Sequence, residues 1–245
     1  MIGVVVDGVG KSFRRPVLRD VRFVLRPGAL TALVGPCGSG KSLLLRLVAG
    51  LERADRGRIE IDGEPVTGAD ARRLARLRSR IGMLFQNHAL FDFMTVGENV
   101  AFPLRRMGWD EPRLTARVSE RLHAVGLAGY EPRAVHGLSG GQKRRVGIAR
   151  ATAAEPALLL FDEPTAGLDP VTGQRILEMV RHEQRARGAT ALVVSSDVQA
   201  VAGVADALLV LHEGRIVYDG PAVLAAHSDE PIVAELFGRS VEARA

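Results

Sequence analysis

Apolar and polar positions along the chain change period several times, and each change marks an element. VVVDGV (residues 4–9) and the alternation of VRFVLRPG (21–28) predict an antiparallel β layer, with Pro27-Gly28 as its turn. TALVG (31–35) is a short unbroken apolar run, the pattern of a buried strand. It opens into a glycine-rich loop and then into the apolar helix SLLLRLVAGL. RIEIDG (58–63) alternates again and closes on Asp62-Gly63. Helical spacing returns in ADARRLARLRSR, which puts Arg73, Arg76 and Arg80 on one face with Arg72 nearby, the pattern of a solvated face. IGMLFQ (81–86) reads as a strand. From Leu90 to about Ala154 nothing does, and Val100 to Leu127 reads as helices broken by Pro103, Gly108 and Pro112.

Two further apolar runs, ALLLFDEP and ATALVVSSD, predict buried strands joined by a helix from Val171 to Arg187. The hairpin ALLVLHEGRIVYDG follows, then a polar tail with helical character. The pattern is an α/β core interrupted by a helical insertion. Residues 1–88 and 155–225 form the core with its β layer, residues 89–154 the helical subdomain, and residues 226–245 the tail.

Composition narrows the function. The 245 residues, 47% hydrophobic and 25% charged, suit one large globular domain. Lys11, Lys41 and Lys143 are the only lysines among 33 basic residues, a skew that reads as genomic base composition. Basic residues are scattered and aromatics are 4%, so no stacking surface for nucleic acid is expected. A single cysteine, Cys37, excludes a disulfide framework and a cysteine zinc cluster, and His88, His123, His136, His182 and His212 show no metal-ligand spacing. The first residues lack a basic segment before their apolar run, which predicts no secretory signal, and no apolar stretch is long enough to cross a bilayer.

GPCGSGKS, residues 35–42, carries the chemistry. It fits G-x-x-x-x-G-K-[ST] between a predicted strand and a predicted helix. Backbone amides of Gly35, Pro36, Cys37, Gly38, Ser39 and Gly40 would shape a phosphate cradle (less the imide of Pro36), completed by the helix dipole. Lys41 would reach the β- and γ-phosphates of ATP, and the Ser42 hydroxyl would bind Mg²⁺. LLLFDE supplies the complementary acids: Asp162 near the metal and Glu163 to polarise an attacking water.

LSGGQ (138–142), followed by KRRVGIARA, resembles the signature motif of ABC-type ATPases. The rest of that pattern is present in order: Gln86 resembles the Q-loop glutamine, AGLDP (166–170) the D-loop, and Phe13 the aromatic that stacks on adenine, although a core Phe is an equal reading. The resemblance covers Val4 to about Gly220. It implies a P-loop ATPase fold that binds ATP and Mg²⁺, with Gln86 and Asp162 joining Ser42 at the metal. It also implies head-to-tail pairing with a second copy, so that Ser139, Gly140, Gly141 and Gln142 of one chain close on the nucleotide of the other. The chain would then sit on the cytoplasmic face of the inner membrane, beneath an integral membrane permease.

GMLFQNHALFDFMTVGENVAFPLRR (82–106) is similar to the ATPase subunits of Mla-type, MCE-associated lipid transporters. This implies phospholipid cargo and an MCE-domain lipid-binding partner. Phe85, Phe91, Phe93 and Phe102 would line a groove for a permease helix, punctuated by Asp92 and Glu98, or else form the small core of the subdomain. One departure stands out. Where the family carries T-H-D, this chain has Ser195, Ser196 and Asp197, so Ser196 takes the place of the histidine that contacts the γ-phosphate. Two alternatives follow: a regulatory cassette with weakened catalysis, or the ATPase of another ABC importer.

Overall fold

A computed structural model describes residues 2–87 and 89–239; Met1, His88 and the end of the expected tail, residues 240–245, lie outside the described residues. Two sheets organise the chain. The first is antiparallel, in the order β2 (Pro16–Leu25), β1 (Val4–Ser12), β4 (Arg56–Ile61), β5 (Glu64–Pro65). β4 turns into β5 at Asp62 and Gly63, both left-handed at φ 55 and 74, which is the backbone a two-residue hairpin needs.

The second sheet has six strands: β10 (Arg215–Pro221), β9 (Ala207–His212), β3 (Leu30–Val34), β8 (Thr190–Val194), β7 (Leu158–Asp162) and β6 (Ile81–Leu84). All its pairings are parallel except β9 with β10. β3, β7 and β8 are buried at every position, which is why they read as unbroken apolar runs. Period two survives within them. Leu158 and Leu160 face one core with Leu192, Val194 and helix α1 (Lys41–Val48), whereas Leu159 and Phe161 face another with Ala191 and Val193. Each buried Leu or Phe contributes about 1.5–3 kcal/mol, so the two cores clamp the sheet from both sides. The C-terminal ends of β3, β7 and β8 come together at one edge, the place where open parallel sheets bind ligands.

The helices between are α2 (Ala71–Arg78), α3 (Val96–Arg106), α4 (Glu111–Ala124), α5 (Gly140–Thr152), α6 (Pro170–Arg187) and α7 (Val198–Ala202), with short α8 (Ala222–Ala225) and α9 (Pro231–Leu236) at the end. α2 carries its arginines as expected of a solvated face: Arg76 pairs with Glu64, and beyond the helix Arg80 pairs with Asp62 and Glu64. Pro103 does not break a helix; it sits inside α3. The buried stripe Val96, Val100 and Leu104 and a capping box between Thr95 and Glu98 hold that helix despite the missing N–H. Pro112 instead starts α4, behind the Asp110 cap, and Gly108 ends the α3 turn in a left-handed conformation. α4 is tied to α6 by a buried ion pair, Arg121 Nη2 to Glu183 Oε1 at 2.5 Å, with Arg187 on the second carboxylate oxygen. Among the described residues no helix is long and apolar enough to cross a membrane.

Candidate functional site

The loop from Gly35 to Gly40 joins β3 to α1 at the edge where the strands end. Gly35 has φ 146, and a Cβ there would lie 2.1 Å from the Leu211 carbonyl oxygen, so the position admits no side chain. Gly38 and Gly40 are left-handed at φ 76 and 103. Pro36 is half-buried, Cys37 is exposed at the loop tip, and the Ser39 hydroxyl is buried with no hydrogen-bond partner among the described residues. Lys41, at the first turn of α1, is buried. Its Nζ donates to the carbonyls of Gly35 at 2.8 Å and Pro36 at 3.0 Å. The ammonium therefore caps the loop that a phosphate would enter. A phosphate entering the loop would offer anionic oxygens to the same ammonium, which has three donors.

Ser42 Oγ donates to Asp162 Oδ1 at 2.7 Å. Asp162 ends β7, and burial holds its carboxyl above the ordinary carboxylate value, offset by the Ser42 hydrogen bond and the charges of Arg46, Lys41 and Arg144. A divalent cation would relieve that desolvation. The donor set fits Mg²⁺, since hydroxyl and carboxylate are hard oxygen ligands and the ion takes further ligands from phosphate and water. No group of three or more His, Cys, Asp or Glu able to cage a metal exists among the described residues.

Glu163 follows with φ 48, a strained backbone for a non-glycine residue, stabilised by its amide donating to the Val194 carbonyl at 2.9 Å. Its carboxylate is held from β8's end: Ser196 donates to Oε2 twice, from its amide at 3.0 Å and from its hydroxyl at 3.1 Å. Gln86 lies just beyond β6 and is exposed, and among the described residues no hydrogen bond joins its side chain to Ser42 or Asp162. Phe13, between β1 and β2, is 64% exposed with Lys11 Nζ 5.3 Å from its ring centre. The core reading of Phe13 is thereby excluded.

The LSGGQ segment lies elsewhere in character. Ser139 caps α5 in a reciprocal box: its Oγ accepts from the Gln142 amide at 3.3 Å, and Gln142 Oε1 accepts from the Ser139 amide at 2.9 Å. Ser139 and Gly140 are exposed, and a Cβ on Gly141 would meet Thr172 of α6 at 3.2 Å.

Of the expected aromatic groove, three members assemble. Phe85, Phe91 and Phe102 line a cavity of about 600 Å³ with Pro103, Met107 and Arg150, and Phe91 packs on Phe102 at 4.7 Å between centroids. Phe93 stands 83% exposed and does not line the cavity, although it still touches Phe91 at 5.8 Å. Glu98 belongs to the Thr95 capping box, and the Thr95 amide hydrogen bond pulls its pKa down. T-V-G-E in the sequence carried that signal. Sequence reasoning also missed Arg144, whose buried guanidinium reaches the Gln86 and Ala166 carbonyls. No local pattern marks it among so many arginines.

Comparison with known proteins agrees with this geometry. A family model described as "ABC transporter" matches residues 18–166. The chain is 44% identical over 205 residues to the methionine import ATP-binding protein MetN of Rhizobium etli, covering 84% of this chain and 57% of that protein. It is 38% identical over 227 residues to MetN of Corynebacterium efficiens, covering 93% and 63%. The chain thus spans about three-fifths of the length of these relatives. Among solved structures, the dimeric ATP-binding cassette MJ0796 in a post-hydrolysis state bound to ADP and Pi superposes with a TM-score of 0.83 at 28% identity, over 89% of this chain and 98% of that one. CbiO1 from Clostridium perfringens, part of the ABC transporter complex cbiONQ, gives 0.83 at 29%, over 96% and 94%. The phospholipid cargo implied by residues 82–106 finds no support in the relatives' names, which describe methionine importers. The chain belongs to the ABC transporter family and carries its ATP-binding cassette fold.

Proposed function

We propose that this chain is the ATP-hydrolysing subunit of an ABC importer, working as a head-to-tail pair on the cytoplasmic face of a membrane. The observation that carries this reading is the Ser42–Asp162 hydrogen bond beside a buried Lys41. It brings a phosphate loop and a metal-binding carboxylate together from strands far apart in sequence.

In this reading Lys41 and the loop amides hold the β- and γ-phosphates of ATP, and Ser42, Asp162 and Gln86 hold Mg²⁺, which neutralises phosphate charge. Glu163 polarises a water for attack on the γ-phosphorus. The water oxygen bonds phosphorus, the bridging oxygen leaves with ADP, and the water's proton passes toward the Glu163 carboxylate. Phe13, exposed between β1 and β2, stacks on the adenine. The exposed Ser139 and Gly140, with the half-buried Gly141 and Gln142, serve the partner copy's nucleotide. The groove at Phe85, Phe91 and Phe102 receives a helix of the permease.

Ser196 is assigned to holding Glu163. A serine hydroxyl is too short to bridge Glu163 and γ-phosphate as an imidazole does, and it carries no charge near neutral pH. ATP binding should therefore be tight and hydrolysis slow.

The names of the relatives favour import of a small solute, with methionine the first cargo to test. A second reading, phospholipid trafficking with an MCE-domain partner, rests on residues 82–106 alone. Phosphate release by the chain reconstituted with its permease in vesicles tests both. Stimulation by a methionine-loaded binding protein supports import, stimulation by a lipid-binding MCE partner supports trafficking, and no phosphate release under any condition overturns the ATPase reading.

A further inference from the structure

Arg144 lies in α5 two residues beyond Gln142 and is 3% exposed. Among the described residues its guanidinium bonds to backbone carbonyls and not to a carboxylate. Nη1 donates to the Gln86 carbonyl at 2.6 Å and Nη2 to the Ala166 carbonyl at 2.9 Å, while Nε is buried with no hydrogen-bond partner among the described residues. Burial lowers its pKa below the ordinary arginine value, opposed by the charges of Glu163 and Asp162. A buried cation is a poor choice for filling space, because a packed apolar side chain does that without desolvating a charge.

What the fork joins is informative. Gln86 belongs to the loop after β6. Ala166 closes the turn after Glu163, its amide donating to the Glu163 carbonyl at 3.2 Å. α5 itself carries Ser139 to Gln142 at its N-terminus. Three segments that act on nucleotide thus meet at one side chain, through two acceptors 58 and 22 residues away. A planar guanidinium spans two carbonyls at once; the single ammonium of a lysine does not match that geometry.

We propose that Arg144 is a positioning residue that locks the N-terminus of α5 in register with Gln86 and the Glu163 turn. The groups offered to a partner's nucleotide then move together with those acting on this chain's own. The inference rests on the ATPase reading above.

Arg144→Gln keeps two amide protons but loses the fork, and Arg144→Lys keeps the charge but not the span. For both, ATP affinity by nucleotide titration should stay within about twofold of wild type while kcat falls by roughly 10–100-fold, the cost of a misplaced reacting group. A merely structural role would lower binding and turnover together, in proportion to the folded fraction. Should Arg144→Gln fail to purify, Arg144→Lys carries the same split. The inference is overturned if kcat stays near wild type in the variants, if affinity is lost in step with kcat, or if lysine restores full turnover. A wild-type chain that binds no ATP would overturn the ATPase reading and this inference with it.

Discussion

The two ends of the nucleotide machinery are built differently. At the phosphate loop, Lys41, Asp162 and Glu163 are buried, hydrogen-bonded and fixed by strand ends. At the LSGGQ segment, Ser139 and Gly140 are exposed, and Ser139 bonds within its own helix turn through the cap with Gln142. A buried, strained, prearranged region suits chemistry on a ligand the chain itself holds. An exposed and self-satisfied region suits a surface offered to another molecule. The contrast is the one the proposed head-to-tail pairing requires, in which one chain holds one half of each of two sites.

The contrast breaks if the two ends respond alike to substitution. Lys41→Ala should weaken ATP binding by roughly 100-fold or more, since it removes the buried cation facing the phosphates. Ser139→Arg should leave binding by the isolated chain near wild type while abolishing ATP-driven pairing. Nucleotide titration and gel filtration measure the two, and equal loss of binding in both variants would refute the division.

Glu163→Gln sharpens it from the buried side. Turnover should fall roughly 10³-fold as the water-polarising carboxylate is lost, with binding intact and a dimer accumulating in ATP and Mg²⁺. A strict monomer, even with permease present, would sink the head-to-tail arrangement. Ser196→His should then raise kcat by up to about 10²-fold, by restoring a side chain long enough to reach the γ-phosphate. A brisk wild-type rate that the histidine reduces would mean that this enzyme holds its water in another way.

The smallest effect is on stability. Burial raises the Asp162 carboxyl above its ordinary value, so the folded chain binds that proton more tightly than the unfolded one. This carboxyl therefore destabilises the fold progressively as pH rises through and above the carboxylate range. Asp162→Asn should raise the melting temperature of the nucleotide-free chain at neutral pH by about 2 °C. The gain should vanish below the ordinary carboxylate range. Melting curves at the two pH values decide it.

Local motifs were legible because their chemistry is contiguous. Gly35 to Ser42 and Leu138 to Gln142 each form a single turn of chain, and buried strands such as Leu158–Asp162 announce themselves by unbroken hydrophobicity. What sequence obscured depends on packing at a distance. Pro103 reads as a breaker until the buried stripe of α3 is seen. Phe93 and Phe102 look equivalent along the chain, yet one faces outward and the other the groove. Ser196 could be aligned, but its double hold on one oxygen of Glu163 needed coordinates. Arg144 has no sequence signature, because its partners are backbone atoms of remote loops.

The reciprocal cap at Ser139 and Gln142 has an energetic corollary for a working cycle. In the cap the Ser139 Oγ only accepts, so its O–H is free to donate to a phosphate oxygen while the Gln142 amide keeps its bond, and the new contact is worth only a modest net free energy by itself. Adhesion between two chains would then come chiefly from the negative charge of the γ-phosphate at the positive end of α5. Once that phosphate leaves, the Ser139–Gln142 cap is still in place and the exposed hydroxyl returns to water. Release would thus be built into the resting fold, and the pair would separate after each turnover because each surface is already content alone.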